Sequence, residues 1–200
     1  MPSPVGHALA GTAIALVAER ARALTSVGAS APSASGAHDS SLHYPVSHHT
    51  AGLPPYLFLC IALAALPDLD LLYQPIHRSV THSLGSTLGI FIIATLVTGW
   101  VTGKRSIGVG LLCGIAWGSH ALLDWLGADP NPPRGIQALW PFSHHWFISG
   151  WDLFRGTERR QILSMASILY NARAVAREVA ILAPIVILLV MLRPKPVRSR

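Results

Sequence analysis

The chain has 200 residues, of which 51% are apolar and only 12% are charged, whereas an average soluble domain carries about 25% charged residues. Because so few charged side chains cannot cover a water-exposed surface, the composition excludes an ordinary soluble domain and favours a membrane protein. The formal net charge of +6 does not indicate nucleic-acid binding, since the basic residues are scattered among loops and tails, as is typical of segments that flank membrane spans.

Five apolar blocks follow one another along the chain, and most of them approach the roughly 20 residues that an α-helix needs to cross a bilayer. The first block is short for a span, and residues 1–6 contain no Lys or Arg that would mark it as a signal peptide. We therefore predict an all-α integral membrane bundle with four to five hydrophobic helices plus an interfacial amphipathic helix. The blocks comprise residues 5–18, 55–73, 84–101, 107–126 and 179–192.

Residues 25–54 separate the first two blocks and consist mainly of Ser, Ala, Gly, Pro and His. Such a composition buries too little apolar area to offset the entropy cost of ordering, which predicts a flexible loop. Four histidines lie in this loop, and their irregular spacing favours solvated side chains over a metal site. They are His38, His43, His48 and His49.

The chain after the fourth block divides into further predicted parts. Residues 127–156 are rich in Pro, Gly and Trp, which predicts a structured loop at the bilayer interface, the level that Trp favours. Residues 157–178 place apolar side chains on one side and arginines such as Arg159 elsewhere, which predicts an amphipathic helix on the membrane surface or a cap to the last span. The predicted units are 1–24 (first hydrophobic helix), 25–54 (loop), 55–156 (membrane core), 157–192 (amphipathic and last membrane helices) and 193–200 (basic tail).

Three of the nine acidic residues, Asp68, Asp70 and Asp124, lie within or at the ends of apolar blocks. An aspartate in the middle of a span costs about 2.5 to 3.5 kcal/mol, so residues in such places usually face a cavity and have a partner. The partners available nearby are histidines. His120 and Asp124 are four residues apart, which places them one turn apart on one helix face, where both can reach a single ion.

The other candidate ligands come from distant parts of the chain. Pro67 disfavours a regular helix at this point, so one of Asp68 and Asp70 could bind metal while the other holds a ligating histidine in its tautomer. With a complete crossing in between, the candidates from Asp68 to Asp124 fall at one membrane face, as a metal site requires. His7 joins them if the first block also crosses the membrane. We favour a metal site over a structural network in which Arg78 neutralises an aspartate. The predicted metal ligands are His7, Asp68, Asp70, His77, His82, His120 and Asp124.

Several short motifs follow one another along the chain. They are Pro4-Val5-Gly6-His7 with Gly11, Pro67-Asp68-Leu69-Asp70, His77-Arg78 with Thr81-His82-Ser83, Gly118-Ser119-His120 with Leu123-Asp124, and Trp140-Pro141-Phe142-Ser143. Together they resemble the YdjM-like family of bacterial inner-membrane proteins, which are regarded as metal-dependent hydrolases. The resemblance covers residues 2–150, and the loop at 25–54 is longer than the family pattern implies. A more distant similarity is to zinc-dependent phospholipase C and related zinc nucleases, which implies zinc held by His7, Asp68 or Asp70, His77 or His82, His120 and Asp124.

The resemblance and the residues together predict a multi-pass protein of the bacterial inner membrane that hydrolyses an ester or phosphoester with a metal-activated water. Asp68 or Asp70 would act as general base, and Arg78 would stabilise an oxyanion or hold a phosphate. Tryptophans near the site favour a membrane lipid or another amphiphilic or lipid-linked substrate. They are Trp125, Trp140 and Trp146.

Two alternatives remain beside the hydrolase, and the sequence leaves the oligomeric state open. A metal or proton transporter would need ionisable residues at several depths, but residues 87–98 in the third block contain none. A protein whose metal only ties helices together is the other alternative.

Basic residues lie mainly on the face opposite the candidate site, so the positive-inside rule predicts an extracytoplasmic site. They are Arg20, Arg22, Lys104, Arg105 and the basic tail.

Overall fold

The computed structural model describes residues 1–29, 53–73, 77–159 and 161–193. The predicted loop histidines at positions 38, 43, 48 and 49 lie outside the described residues, as does most of the predicted basic tail.

The described part of the chain is all-α, which confirms the predicted fold class. It contains two isolated β-bridges but no strand. Its helices are α1 (Pro4–Ala29), α2 (Leu57–Ala65), α3 (Leu84–Thr102), α4 (Ile107–Leu126) and α5 (Met165–Met191), with a 3₁₀ segment (Leu66–Leu72) directly after α2.

Three of these helices begin at a serine whose hydroxyl accepts a hydrogen bond from the backbone N–H three residues later. These serines are Ser83 before α3, Ser106 before α4 and Ser164 before α5. Each hydroxyl thus satisfies a backbone donor that the first helical turn leaves unpaired. At its other end α3 stops at Gly103, whose φ of 72° suits a residue without a Cβ.

Within the described residues, three helices are long and apolar enough to cross a membrane, namely α3, α4 and α5. The predicted second apolar helix at 55–73 is instead a nine-residue α-helix followed by the 3₁₀ segment. Pro67 lies at the start of that segment and has no backbone N–H, so it cannot continue the α-helical hydrogen-bond ladder. This break changes the backbone geometry just before Asp68 and Asp70.

Two predicted boundaries differ from the structure. The first helix extends to Ala29, beyond the predicted end at residue 24. The predicted amphipathic helix at 157–178 is not a separate element, because α5 is one continuous helix from Met165 and the described residues before it are not helical. The buried residues Ala174 and Glu178 lie in the part of α5 that was predicted to rest on the membrane surface. That part is therefore packed against the bundle.

Close helix packing joins α3 to α4 through glycines. A Cβ at Gly110 would lie 1.9 Å from Thr95 Oγ1 and 2.8 Å from the Phe91 carbonyl oxygen, and one at Gly114 would lie 3.1 Å from the Phe91 Cβ. Small residues four positions apart allow this approach, as in other membrane helix pairs. Since α3 has no buried residue, its remaining faces are exposed in the isolated chain.

The helices α1 and α5 lie side by side and run in the same direction. Ser3 contacts Glu178 at one end of the pair, and Glu19 pairs with Arg193 at the other end. The loop after α4 folds back over the first of these ends, with Phe154 buried and its carbonyl accepting from the Ala128 N–H. This end of the bundle holds the candidate site.

Candidate metal centre

Helix α4 contributes His120 and Asp124, which are both buried and one turn apart, as the four-residue spacing predicts. His120 Nε2 lies 3.4 Å from Asp124 Oδ2. The other ring nitrogen, Nδ1, lies 2.8 Å from the Ala64 carbonyl oxygen at the end of α2. Because a carbonyl only accepts hydrogen bonds, Nδ1 carries the proton, and the lone pair of Nε2 faces Asp124.

His82 reaches the same point from the turn before α3. Its Nε2 lies 3.0 Å from His120 Nε2 and 3.2 Å from Asp124 Oδ2. Its Nδ1 lies 3.2 Å from Asp70 Oδ2. A carboxylate at Nδ1 holds the proton there and orients the ring, so Nε2 of His82 is also directed at Asp124 with its lone pair free.

The spacing of these three atoms suits a shared cation. His82 Nε2, His120 Nε2 and Asp124 Oδ2 are separated from one another by 3.0 to 3.4 Å. Ligands at about 2.0 to 2.1 Å from a tetrahedral ion are about 3.3 to 3.4 Å apart. Two imidazole lone pairs that face each other at such a distance repel unless a proton or a metal lies between them. The buried group His82, His120 and Asp124 can therefore hold a metal ion.

Asp68 and His7 extend this group to five residues. Asp68 Oδ1 lies 3.6 Å from His120 Nε2, and His7 Nε2 lies 3.8 Å from Asp124 Oδ1. The His7 ring stacks on the His120 ring, with 3.7 Å between the centroids. The structure thus brings together five of the seven predicted ligands from four separate parts of the chain. We call His7, Asp68, His82, His120 and Asp124 the central cluster.

Several polar atoms of the central cluster are buried without a hydrogen-bond partner among the described residues. They include both ring nitrogens of His7, Asp68 Oδ1 and both carboxylate oxygens of Asp124. A buried polar atom without a partner costs about 1 to 3 kcal/mol, and more when it is charged. One cation could take a single nitrogen of His7 together with oxygens of Asp68 and Asp124, so the donor set fits a bound metal.

Asp70 and His77 lie next to the central cluster rather than within it. His77 Nδ1 is 2.6 Å from Asp70 Oδ1, and the same carboxylate accepts from the Thr81 hydroxyl and the Arg78 N–H. Burial of Asp70 opposes its ionisation, but the hydrogen bonds from His77, His82 and Thr81 outweigh burial and hold its pKa below the ordinary value. Asp70, His77 and His82 also form a group that can hold a metal ion. However, His82 Nε2 is directed at Asp124 while His82 Nδ1 faces Asp70, so Asp70 fits the role of orienting His82. The sequence analysis had left this role open to either Asp68 or Asp70.

Arg78 pairs with Asp129, and its guanidinium lies over the Trp146 ring at 5.6 Å from the centroid. The sequence analysis considered a charge pair between Arg78 and an aspartate, and in the structure that aspartate is Asp129. Asp129 comes soon after the end of α4 and lies at the same end of the bundle. Its position just past His120 and Asp124 was the only sequence signal for this pairing.

An open cavity of about 850 Å³ adjoins the central cluster. His77, Arg78 and Arg159 line it on one side, and Leu71 and Tyr170 add apolar and aromatic surface. Arg159 links the cavity to the cluster, because its Nη2 lies 3.6 Å from Asp68 Oδ2 and 33% of its side chain remains exposed. Asp129 and Glu158 also line it, so the cavity combines charged groups of both signs with apolar surface beside the cluster.

Comparison with known proteins places the chain in a family. A family model described as the YdjM inner membrane protein matches residues 1–195. The chain belongs to the YdjM family. The match includes α5, beyond the residues 2–150 over which the motifs resembled the family. No curated protein and no solved structure matches the chain, so the more remote similarity to zinc-dependent phospholipase C has no support.

In this YdjM protein, two residues that lie near the cluster were not predicted from the sequence to belong to the site. Arg159 was assigned to a surface helix, yet it lines the cavity and contacts Asp68. Glu178 was not singled out, although it is a fully buried carboxylate within α5. Its position directly before the apolar block at 179–192 was a usable signal, since acidic residues at the ends of such blocks usually have a specific partner. Arg159 carried no comparable signal, because its contact depends on how the loop before α5 folds.

Proposed function

We propose that this YdjM family protein is a metal-dependent hydrolase of the inner membrane whose central cluster holds one catalytic divalent cation. The observation that carries the proposal is the set of buried, unpartnered nitrogen and oxygen atoms of His7, Asp68 and Asp124 beside the facing Nε2 atoms of His82 and His120. Histidine nitrogens and carboxylate oxygens are typical ligands of Zn²⁺, which we propose as the ion.

The charges around the cluster support a bound cation. Four carboxylates face two guanidinium groups and the amino group of Met1, so the carboxylates outnumber these basic groups when the histidines are neutral. Protonating both His82 and His120 would place two N–H groups against each other across 3.0 Å. A metal cation offsets the excess negative charge without that conflict. The carboxylates are Asp68, Asp70, Asp124 and Asp129, and the guanidinium groups are Arg78 and Arg159.

A Zn²⁺ held by the central cluster would lower the pKa of a water molecule to about 7 and so supply a nucleophile near neutral pH. Within the protein, Asp70 orients His82, and the Ala64 carbonyl orients His120. Asp70 is already occupied by several hydrogen bonds, whereas Asp68 directs Oδ1 at His120 and Oδ2 at Arg159, which lines the cavity. We therefore assign the general base to Asp68 rather than Asp70.

The cavity supports an amphiphilic ester or phosphoester, such as a lipid or lipid-linked molecule, as the substrate. Arg159 presents a partly exposed guanidinium between Asp68 and the cavity, where it can donate to an anionic group of the substrate. Arg78, the residue first considered for this role, is paired with Asp129. The apolar side chains of Leu71 and Tyr170 offer surface to the rest of an amphiphile.

We further propose a multi-pass topology in which α3, α4 and α5 cross the membrane. The central cluster lies where α1 and α3 begin and α4 ends. Lys104 and Arg105 lie in the turn between α3 and α4, at the opposite ends of these helices. The positive-inside rule then puts these basic residues in the cytoplasm and the cluster on the extracytoplasmic side.

Metal analysis of the purified protein, followed by a screen of phosphoesters and lipid esters, tests the proposal. The wild type should contain about one equivalent of metal and hydrolyse at least one substrate class, and His120→Ala should lose both properties. His144→Ala is a matched control, because His144 is exposed in the loop after α4. Retained metal without hydrolysis would favour a structural metal, and metal flux into proteoliposomes would favour a transporter.

A further inference from the structure

Glu178 is a fully buried carboxylate in the middle of α5, a helix apolar enough to span a membrane. Burying a carboxylate in such a helix is costly unless donors surround it. The donors come from the other end of the sequence. The Ser3 N–H donates to Glu178 Oε1 at 2.7 Å, the Gly6 N–H donates to Oε2 at 3.0 Å, and the Ser3 hydroxyl also donates to Oε2.

These bonds make Glu178 the cap of α1, supplied by a different helix. The first N–H groups of a helix have no partner within it, and the positive end of the helix dipole favours an anion there. A side chain at position 6 would obstruct this contact, because a Cβ on Gly6 would lie 2.8 Å from Glu178 Oε2. The arrangement therefore ties the first turn of α1 to one point on α5.

His7 directly follows Gly6 and differs from the other histidines of the central cluster. His120 is held by the Ala64 carbonyl and His82 by Asp70, each through Nδ1. Neither ring nitrogen of His7 has a hydrogen-bond partner among the described residues. The position of its ring is therefore set by the stacking on His120 and by the backbone of the first turn of α1.

We propose that Glu178 is a positioning residue for the metal centre: by capping α1 from α5 it holds His7 at the distance from Asp124 at which both can share a cation. This inference rests on the proposed function, because it assumes that the central cluster binds a metal.

Metal affinity of the full-length protein in detergent tests the inference, with Zn²⁺ titrated against a chromophoric chelator and Co²⁺ used for its visible absorption spectrum. Glu178→Gln keeps the shape of the side chain but places an NH₂ group against the backbone donors of α1. We expect it to weaken Zn²⁺ binding by about tenfold, as changes to outer partners of metal ligands do. It should also change the Co²⁺ spectrum, which a uniform loss of stability would not do.

Glu19→Gln is the matched control. Glu19 pairs with Arg193 at the far end of the same α1–α5 contact, so this change loosens the helix pair away from the cluster. It should lower the thermal stability and leave both the Zn²⁺ affinity and the Co²⁺ spectrum unchanged. If Glu19→Gln weakened Zn²⁺ binding as much as Glu178→Gln does, general loosening of α1 and α5 would explain the loss and the inference would fail.

The double variant Glu178→Gln/His7→Ala shows whether Glu178 acts through His7. We expect it to bind Zn²⁺ no more weakly than His7→Ala alone, whereas two additive losses would contradict the inference. If Glu178→Gln does not fold, Ser3→Ala removes one donor to the same carboxylate, and unchanged Zn²⁺ affinity in that variant would contradict the inference as well. A wild type that binds no divalent metal would overturn the proposed function itself, whereas equal Zn²⁺ affinity of the wild type and Glu178→Gln would overturn only the role of Glu178.

Discussion

The Nε2 atoms of His82 and His120 lie 3.0 Å apart in the interior of the bundle, while the Nδ1 atoms of both rings have oxygen partners elsewhere. Each ring thus keeps its proton on the outer nitrogen and directs a lone pair at the other ring. This arrangement is unfavourable in an empty site and favourable around a cation, because both lone pairs then bind the same ion.

Removal of metal should therefore destabilise the protein. A ligand present at 100 times its dissociation constant stabilises the folded state by about 2.7 kcal/mol, which corresponds to about 5 to 10 °C in Tm for a chain of this size. We expect a chelator to lower the Tm of the purified protein by that amount and added Zn²⁺ to restore it. His120→Ala provides the control, since its Tm should not respond to the chelator. An equal response of the wild type and His120→Ala would contradict a metal in the central cluster.

Asp70→Asn should weaken metal binding without removing a proposed ligand. The amide cannot hold the proton on His82 Nδ1 as the carboxylate does, so the ring loses its preferred tautomer and orientation. We expect an affinity loss of about 10- to 100-fold in a Zn²⁺ titration. Asp129→Asn disturbs the pair with Arg78, which lies outside the central cluster, so this variant should bind Zn²⁺ like the wild type. Unchanged affinity in Asp70→Asn would show that Asp70 does not act through His82.

Arg159→Ala should impair use of the substrate and spare the metal. Its guanidinium faces the cavity and contacts Asp68 from outside the central cluster. For an anionic substrate we expect KM to rise by about tenfold, since a charge-assisted hydrogen bond contributes about 1.5 kcal/mol or more. Steady-state kinetics and metal analysis of the same preparation measure both effects. Arg134→Ala, at an exposed position in the loop after α4, is the control. A loss of metal in Arg159→Ala would indicate a structural role instead.

Gly110→Ala should destabilise the contact between α3 and α4. The added Cβ would meet Thr95 Oγ1 and the backbone oxygen of Phe91, and the backbone cannot move aside easily. Overpacking of this kind costs about 1 to 3 kcal/mol. Gly89→Ala is the matched control on α3, because nothing lies within 4 Å of its added Cβ. Thermal unfolding in detergent should show a lower Tm for Gly110→Ala only, and equal Tm values for both variants would contradict the close packing.

The amino-acid sequence by itself determined the all-α membrane class and most of the central cluster. Both follow from local properties: the length and composition of apolar blocks, and the helical repeat that puts His120 and Asp124 on one face. The location of Asp68 and His82 at the same end of the bundle as His120 and Asp124 also followed from counting crossings, whereas His7 was placed there only if the first block crosses the membrane. Their shared location required no knowledge of side-chain contacts.

Only the tertiary structure decided how the remaining residues divide their roles. The break after α2 places Asp68 beside His120 in the cluster and Asp70 beside His82 Nδ1. The spacing of the two aspartates in the sequence did not show which of them would take which position. The partners of Arg78, Arg159 and Glu178 are separated from them by 51 to 175 residues. Such pairings depend on how whole helices and loops pack, and no local pattern or periodicity encodes that packing.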